Sequence, residues 1–277
     1  MRHHASDAQC ARGFRPVQSH TRGAAGKLSN KTVNHNQSAT VLRLSTSAFT
    51  DQVLSLKPRV AVFDCDGTLW PGDSGYGFMV WSVETGLLSR DTADWIDSRH
   101  RSYRHGEVSE FTMCAEMVQV YKGLHEKEVR QSAQEYFRTH IEPTIFPELR
   151  SLLAALQQNG TELWAVSSTN NWVVEEGVSW FGIPASRVLA ACVKVNGGVI
   201  SGELIDVPTD ETKATALQRA GQPAPDAVFG NSVHDAAMLR IARRAFPVNP
   251  SPALIDIATQ AGWPIYFPDA VLQDKTK

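Results

Sequence analysis

Apolar residues fall along the chain in two rhythms. Short runs of branched and aromatic residues, Val60 to Phe63 within a strand at 58–63, Leu163 to Val166, Ala227 to Phe229 and Ala245 to Val248, have the length and composition of strands buried on both faces. Between them apolar residues recur at helical spacing. Phe78, Val80, Trp81, Val83 and Leu87 open a helical segment that continues over about 91–104, 108–122 and 126–140, punctuated at Ser89-Arg90, His105-Gly106 and Lys122-Gly123. Pro147 suits a first helical turn and Gly160 a stop, which predicts a helix from Pro147 to Gln158. Residues 188–194 and 198–205 read as strands joined across Asn196-Gly197, a hairpin signal. Further helices are predicted at about 210–220, around Met238 and Leu239, and at about 252–261. Strands alternating with helices predict an α/β fold, a doubly wound parallel sheet built from 51–73 and 142–277, with 74–141 inserted as a helical cap.

Residues 1–50 do not share this pattern. They are rich in Ser, Thr, Asn, His, Gly and Arg, with few bulky apolar residues before Val41 and Leu42, and so predict a mobile tail. The tail carries seven Lys or Arg against Asp7 alone, a net of +6, whereas the 277-residue chain is at −2. Its scattered basic and hydroxyl residues have the composition of an organelle transit peptide and make a weak nucleic-acid arm. The near-neutral total advertises no nucleic-acid partner. Cys10, Cys65, Cys114 and Cys192 form no CxxC pair, which argues against a zinc knuckle or a disulfide framework and fits a reducing, cytoplasmic setting. No apolar run is long enough to span a bilayer.

Chemistry concentrates at strand ends. The run Val60 to Phe63 stops at Asp64 and Asp66, two carboxylates separated by one residue. They repel when ionised, which suits a cation or a proton-transfer task, and an Asp-Gly turn is the plainer alternative. Ser167-Ser168-Thr169-Asn170-Asn171 follows the next strand as a hydroxyl-rich and amide-rich loop that suits an anion or a helix N-cap. Lys213 sits in a first helical turn, where it opposes the helix dipole. Gly230-Asn231-Ser232-Val233-His234-Asp235 follows a third strand.

The order Asp64 and Asp66, Ser167, Lys213, then Asn231 and Asp235 resembles the haloacid dehalogenase superfamily, in the phosphoserine-phosphatase-like branch whose helical cap lies between the first and second motifs. Phe146-Pro147-Glu148, Lys122-Gly123-Leu124 and Val248-Asn249-Pro250 add to the likeness over roughly 58–267. The resemblance implies a phosphatase acting on a small phosphomonoester. Asp64 would be the nucleophile and form an aspartyl-phosphate, and Asp66 the acid and base. Ser167 would bind a phosphoryl oxygen and Lys213 would neutralise charge. Mg²⁺ would be held by Asp64, the Asp66 carbonyl and Asn231, with Asp235 ordering the outer shell. Thr68, Ser168 and Asn170 are candidates for substrate contacts, and His234 for touching the leaving group or water.

Two departures bear on the activity. The family most often has Asp where this chain has Asn231, so the metal site is one charge short, and a phosphate-ester-binding protein with little turnover stays open. In phosphoserine phosphatases an acid contacts the substrate amine and a cap arginine the carboxylate. Here the matching positions are Asp73 and Met117. A methionine cannot pair a carboxylate, which predicts a head group like phosphocholine or phosphoethanolamine, with Trp70 stacking on the ammonium. Arg99, Arg101 and Arg104 are the alternative carboxylate partners, and they keep phosphoserine phosphatase as the second enzymatic reading.

Overall fold

A computed structural model of the chain describes residues 41–274, and the rest of the expected tail lies outside them. Strand β1 (Arg43–Leu44) leads into helix α1 (Thr46–Ser55), which Ser45 caps by accepting a hydrogen bond from the Ala48 amide at 3.2 Å. The end of the expected tail is therefore folded. Phe49 and Val53 are fully buried, and the Phe49 ring stacks on Tyr266 with centroids 4.1 Å apart, a partner that composition near residue 50 cannot reveal.

Strand β2 (Val60–Phe63) is buried at all four positions. Its alternate residues serve two cores. Ala61 and Phe63 face α1 and α6 (Pro147–Gln158), and Val60 and Val62 face the helices that follow β5. Between β2 and α6 the chain runs through an insert of four helices, α2 (Ser74–Glu84), α3 (Arg90–Arg104), α4 (Glu110–Gln119) and α5 (Glu126–Tyr136), then a wide turn at Phe137–Ile141. The insert joins the rest of the chain through aromatic contacts, Trp70 edge-on to Phe137 at 5.4 Å and Tyr121 edge-on to a later tryptophan, Trp172, at 5.4 Å.

After α6 come β3 (Glu162–Asn170), α7 (Asn171–Ser179), β4 (Val188–Asn196), β5 (Val199–Asp206), α8 (Glu211–Arg219), β6 (Ala227–Gly230), α9 (Ala236–Ile241), β7 (Arg244–Pro247), α10 (Pro252–Ala261), β8 (Ile265–Tyr266) and α11 (Asp269–Asp274). The main sheet has the order β5-β4-β3-β2-β6-β7. All its neighbours are parallel except the β4–β5 hairpin, while β1 pairs parallel with β8 apart from it. The doubly wound α/β expectation is met. One expectation fails locally, because Ser167 to Asn170 belong to β3 rather than to a loop. The strand carries on across an irregular register between Val166 and Asn170, where Asn170 pairs with Ala191, so Ser167 is held by sheet and not by a free turn.

β2 lies at the point where strand order reverses, with β3 on one side and β6 on the other. The crevice beyond its carboxyl end is where such sheets bind ligands. Among the described residues no helix is long and apolar enough to cross a membrane.

Phe49→Ala is expected to cost about 3–5 kcal/mol in urea unfolding, since the ring is fully enclosed by Tyr266, Phe229 and Phe246. A loss under about 1 kcal/mol would detach α1 from the core.

Candidate active site

At the carboxyl end of β2 the main chain stays tied to the sheet for one more residue, the Asp64 amide donating to the Phe229 carbonyl at 2.9 Å. This fixes the Asp64 carboxyl in the crevice. Its Oδ1 accepts from Lys213 Nζ at 2.8 Å and its Oδ2 from the Thr68 hydroxyl at 2.9 Å. Lys213 Nζ also donates to Asp235 Oδ1 at 2.6 Å. All three charges are nearly excluded from solvent. Burial, with Asp235 adding to it against the pull of Lys213, pushes the Asp64 carboxyl up to about 7. For Lys213 burial works against the charge, but Asp235 and Asp64 outweigh it and hold the ammonium above its ordinary range.

Asp235 has no oxygen to spare. Its Oδ2 accepts from the amides of Asn231 and Ser232, both at 2.9 Å, and from the Ser232 hydroxyl at 3.2 Å. It therefore holds the turn after β6 in shape. That turn presents the Asn231 side chain against Gly67, where a Cβ would lie 1.8 Å from Asn231 Nδ2, and Gly67 also has φ +76°. Only glycine tolerates both constraints without a shift.

Asp66 points into the crevice with both oxygens engaged: Trp70 Nε1 donates to Oδ1 at 2.6 Å and the Thr169 hydroxyl to Oδ2 at 2.7 Å. Ser167 is 2% exposed, and its Oγ accepts from the Thr169 amide at 3.2 Å.

Asp64, Asp66, Ser167, Ser168, Lys213, Asn231 and His234 line one cavity of about 220 Å³, together with Asp73 and Met117. The insert supplies the opposite wall with His100 and Tyr103 from α3 and Glu110, Met113 and Cys114 from α4. Glu110 accepts from the Cys114 thiol at 3.5 Å and faces His234 Nε2 at 3.7 Å, while His234 Nδ1 lies 2.7 Å from Asp210 Oδ1. Burial and the bond to Glu110 push the Tyr103 hydroxyl above its ordinary range.

Several expected substrate contacts have other partners. Trp70 is fully buried, does not line the cavity, and spends its N–H on Asp66, so it cannot stack on a head group. Thr68 is bound to Asp64. Asn170 caps α7, its Oδ1 accepting from the Val173 amide at 3.1 Å. Ser168 reaches the cavity but donates to the Pro208 carbonyl at 3.0 Å. Asp73 caps α2 by accepting from the Tyr76 amide at 2.9 Å and lines the cavity as well. Arg99 is locked to Glu116 by two bonds of 2.5 and 2.6 Å, and neither it nor Arg101 nor Arg104 lines the cavity.

Sequence reasoning passed over Thr169 and Glu110. Thr169 stood in the hydroxyl-rich stretch that was singled out, two residues after Ser167. Glu110 carried no signal, because an acid in the first turn of a helix is ordinary dipole compensation.

Lys213→Met is expected to destabilise the chain by about 3–5 kcal/mol in urea unfolding, because Asp64 and Asp235 would be left buried with no counter-charge. The double variant with Asp235→Asn should recover part of that loss, and an absence of recovery would show the pair to be uncoupled.

Comparison with known proteins agrees with this geometry. The description "haloacid dehalogenase-like hydrolase" matches residues 61–240. The histidinol-phosphatase of Neisseria meningitidis is 24% identical over 218 residues, 75% of this chain and 97% of its own. A probable phosphatase of Mycobacterium tuberculosis is 25% identical over 217 residues, 74% of each chain. A Bordetella pertussis protein of unknown function has the same fold with TM-score 0.69 at 23% identity, covering 76% of this chain and 98% of its own. A substrate-bound phosphoserine phosphatase gives 0.54 at 15%, covering 76% and 93%. With the family match extending over more than half of its length, the chain belongs to the haloacid dehalogenase-like hydrolases and is an enzyme of their phosphatase type.

Proposed function

We propose that this phosphatase hydrolyses a small phosphomonoester with a cationic head group and no carboxylate, through an aspartyl-phosphate on Asp64. One observation carries the reading. In a single cavity Asp64 is paired to a buried lysine beside Asp66, while the remaining wall holds Asp73 and Glu110, and among the described lining residues Lys213 is the sole Lys or Arg.

The roles follow from where the groups stand. Asp64 attacks phosphorus, and Lys213 on its Oδ1 offsets the charge that gathers on the nucleophile and the phosphoryl oxygens. Ser167 presents a hydroxyl from the end of β3 to a phosphoryl oxygen. Asp66 protonates the departing alcohol and later takes a proton from the attacking water. Lys213 already has two buried carboxylate partners, so it cannot also serve a substrate carboxylate at the far wall. The histidinol-phosphatase relative fits this wall, because histidinol phosphate carries an amine and an imidazole and lacks a carboxylate. Phosphoserine fits it less well.

Mg²⁺ suits the oxygen donors present: the Asp64 carboxylate, the Asp66 main-chain carbonyl and the Asn231 amide oxygen. Among the described residues no three His, Cys, Asp or Glu side chains form a ready-made metal cluster. Burial, with the neighbouring Asp235 adding to it, pushes the Asp64 carboxyl up to about 7, and a bound hard cation would favour its ionised form. Asp235, with both oxygens engaged, shapes the turn that carries Asn231. The ion would supply charge stabilisation at the phosphoryl group.

Phosphate release from histidinol phosphate, phosphoethanolamine, phosphocholine and phosphoserine, with Mg²⁺ or with a chelator, tests the proposal. Turnover should need Mg²⁺, fall by roughly three orders of magnitude in Asp64→Asn, and favour an ester without a carboxylate. Glu110→Gln should raise KM for the best cationic ester about tenfold. Asn231→Asp should lower the Mg²⁺ concentration required. Preference for phosphoserine would sink the head-group assignment. Tight phosphate-ester binding without turnover would favour the binding-protein reading.

A further inference from the structure

The two oxygens of Asp66 have partners that differ in kind. The Trp70 indole N–H at 2.6 Å from Oδ1 is a donor with no acceptor capacity, whereas the Thr169 hydroxyl at 2.7 Å from Oδ2 can donate or accept. An indole donating to Oδ1 disfavours a proton on that oxygen, because protonation takes one of its lone pairs and makes it a poorer acceptor for the N–H. A proton on Oδ2 is tolerated, since the Thr169 hydroxyl can turn its hydrogen away and offer a lone pair.

Neither partner is loosely placed. Trp70 is fully buried, edge-on to Phe137 at 5.4 Å, and a Cβ at Gly177 would meet its Cη2 at 2.9 Å. The Gly67 amide donates to the Trp70 carbonyl at 2.7 Å, which closes a short loop and sets the indole beside Asp66. Thr169 is 7% exposed and fixed on β3.

We propose that Trp70 and Thr169 are positioning residues for the acid/base step, the indole reserving Oδ1 as a permanent acceptor so that Oδ2 alone exchanges the proton. The inference rests on the phosphatase reading of Asp66. In the first step an Asp64 oxygen bonds to phosphorus, the bond from phosphorus to the alcohol oxygen breaks, and that oxygen takes the proton from Asp66 Oδ2. In the second, water oxygen bonds to phosphorus, the aspartyl-phosphate bond breaks to return the Asp64 carboxylate, and the water proton goes to Asp66 Oδ2. Thr169 donates to Oδ2 while Asp66 is a carboxylate and turns its hydrogen away when Oδ2 carries the proton, which leaves that proton for the alcohol oxygen. Trp70 does not line the cavity, so it acts without touching substrate, and its indole N–H reaches the site through Asp66.

The test compares two leaving groups. The value of kcat/KM covers the steps through departure of the alcohol. An alkoxide needs a proton as it leaves and p-nitrophenolate does not, so lost acid catalysis is felt by the first ester and spared by the second. Wild type, Trp70→Phe, Thr169→Val and Thr169→Ser would be assayed on the best alkyl phosphate of the panel and on p-nitrophenyl phosphate. Trp70→Phe and Thr169→Val should lower kcat/KM for the alkyl ester by about 10–100-fold and for the nitrophenyl ester by under about threefold, and Thr169→Ser should restore most of the loss.

Equal losses on both esters, or none on either, would overturn the proposal. If Trp70→Phe fails to fold, the near-isosteric Thr169→Val and its serine rescue still decide. A wild type inactive on every ester would remove the phosphatase reading itself, whereas an active wild type with equal losses in the variants removes only the orientation of Asp66.

Discussion

The structure depends on one buried triad of charge. Lys213 donates to Asp64 and to Asp235, residues 149 and 22 positions away, and so ties the end of β2 to the start of α8 and the turn before α9. Each buried ion costs several kcal/mol of hydration, and its partners offset that only if they are well placed. A lysine in the first turn of a helix also opposes the helix dipole. Apolar residues of similar volume would hold these three elements together at least as well. The triad makes sense as a device that keeps an ionisable carboxylate at a strand end facing the crevice where such sheets bind ligands.

The remaining construction divides labour between core and insert. Core strand ends supply Asp64, Asp66, Ser167 and Asn231, the groups suited to phosphate, whereas α3 and α4 supply His100, Tyr103 and Glu110, the groups suited to whatever carries the phosphate. The two halves meet through Glu110 and His234, which line the cavity, and Asp210 behind the histidine. A change on α4 can therefore reshape that wall without disturbing the buried triad.

Much of this was legible in the sequence because the signals are local. The apolar run Val60 to Phe63 ending on two aspartates, Pro147 at a helix start and Gly197 at a hairpin turn each encode their own geometry within a few residues. What escaped depends on distant partners. α1 was absorbed into the polar tail because Phe49 gains its meaning from Tyr266, far along the chain. Trp70 beside an active-site carboxylate suggested a stacking platform, and only its burial against Phe137 shows the indole turned toward Asp66. Asn170 and Asp73 illustrate the reverse, since each caps a helix while Asp73 also reaches the cavity. Glu110 was invisible for the same reason as α1: its neighbour His234 lies over a hundred residues away.

The close approach of Gly67 and Asn231 has a consequence on the scale of lineages. A side chain at 67 would occupy the space of the Asn231 amide, and the positive φ would strain it besides. Exchange of Asn231 for an acid of the same length asks nothing new of Gly67, whereas enlargement at 67 asks the residue 231 side chain to give up its place and the backbone to bear a strained φ. Drift along the first axis is the easier of the two. Divergence in this site should therefore run through the charge of residue 231 and leave the glycine fixed.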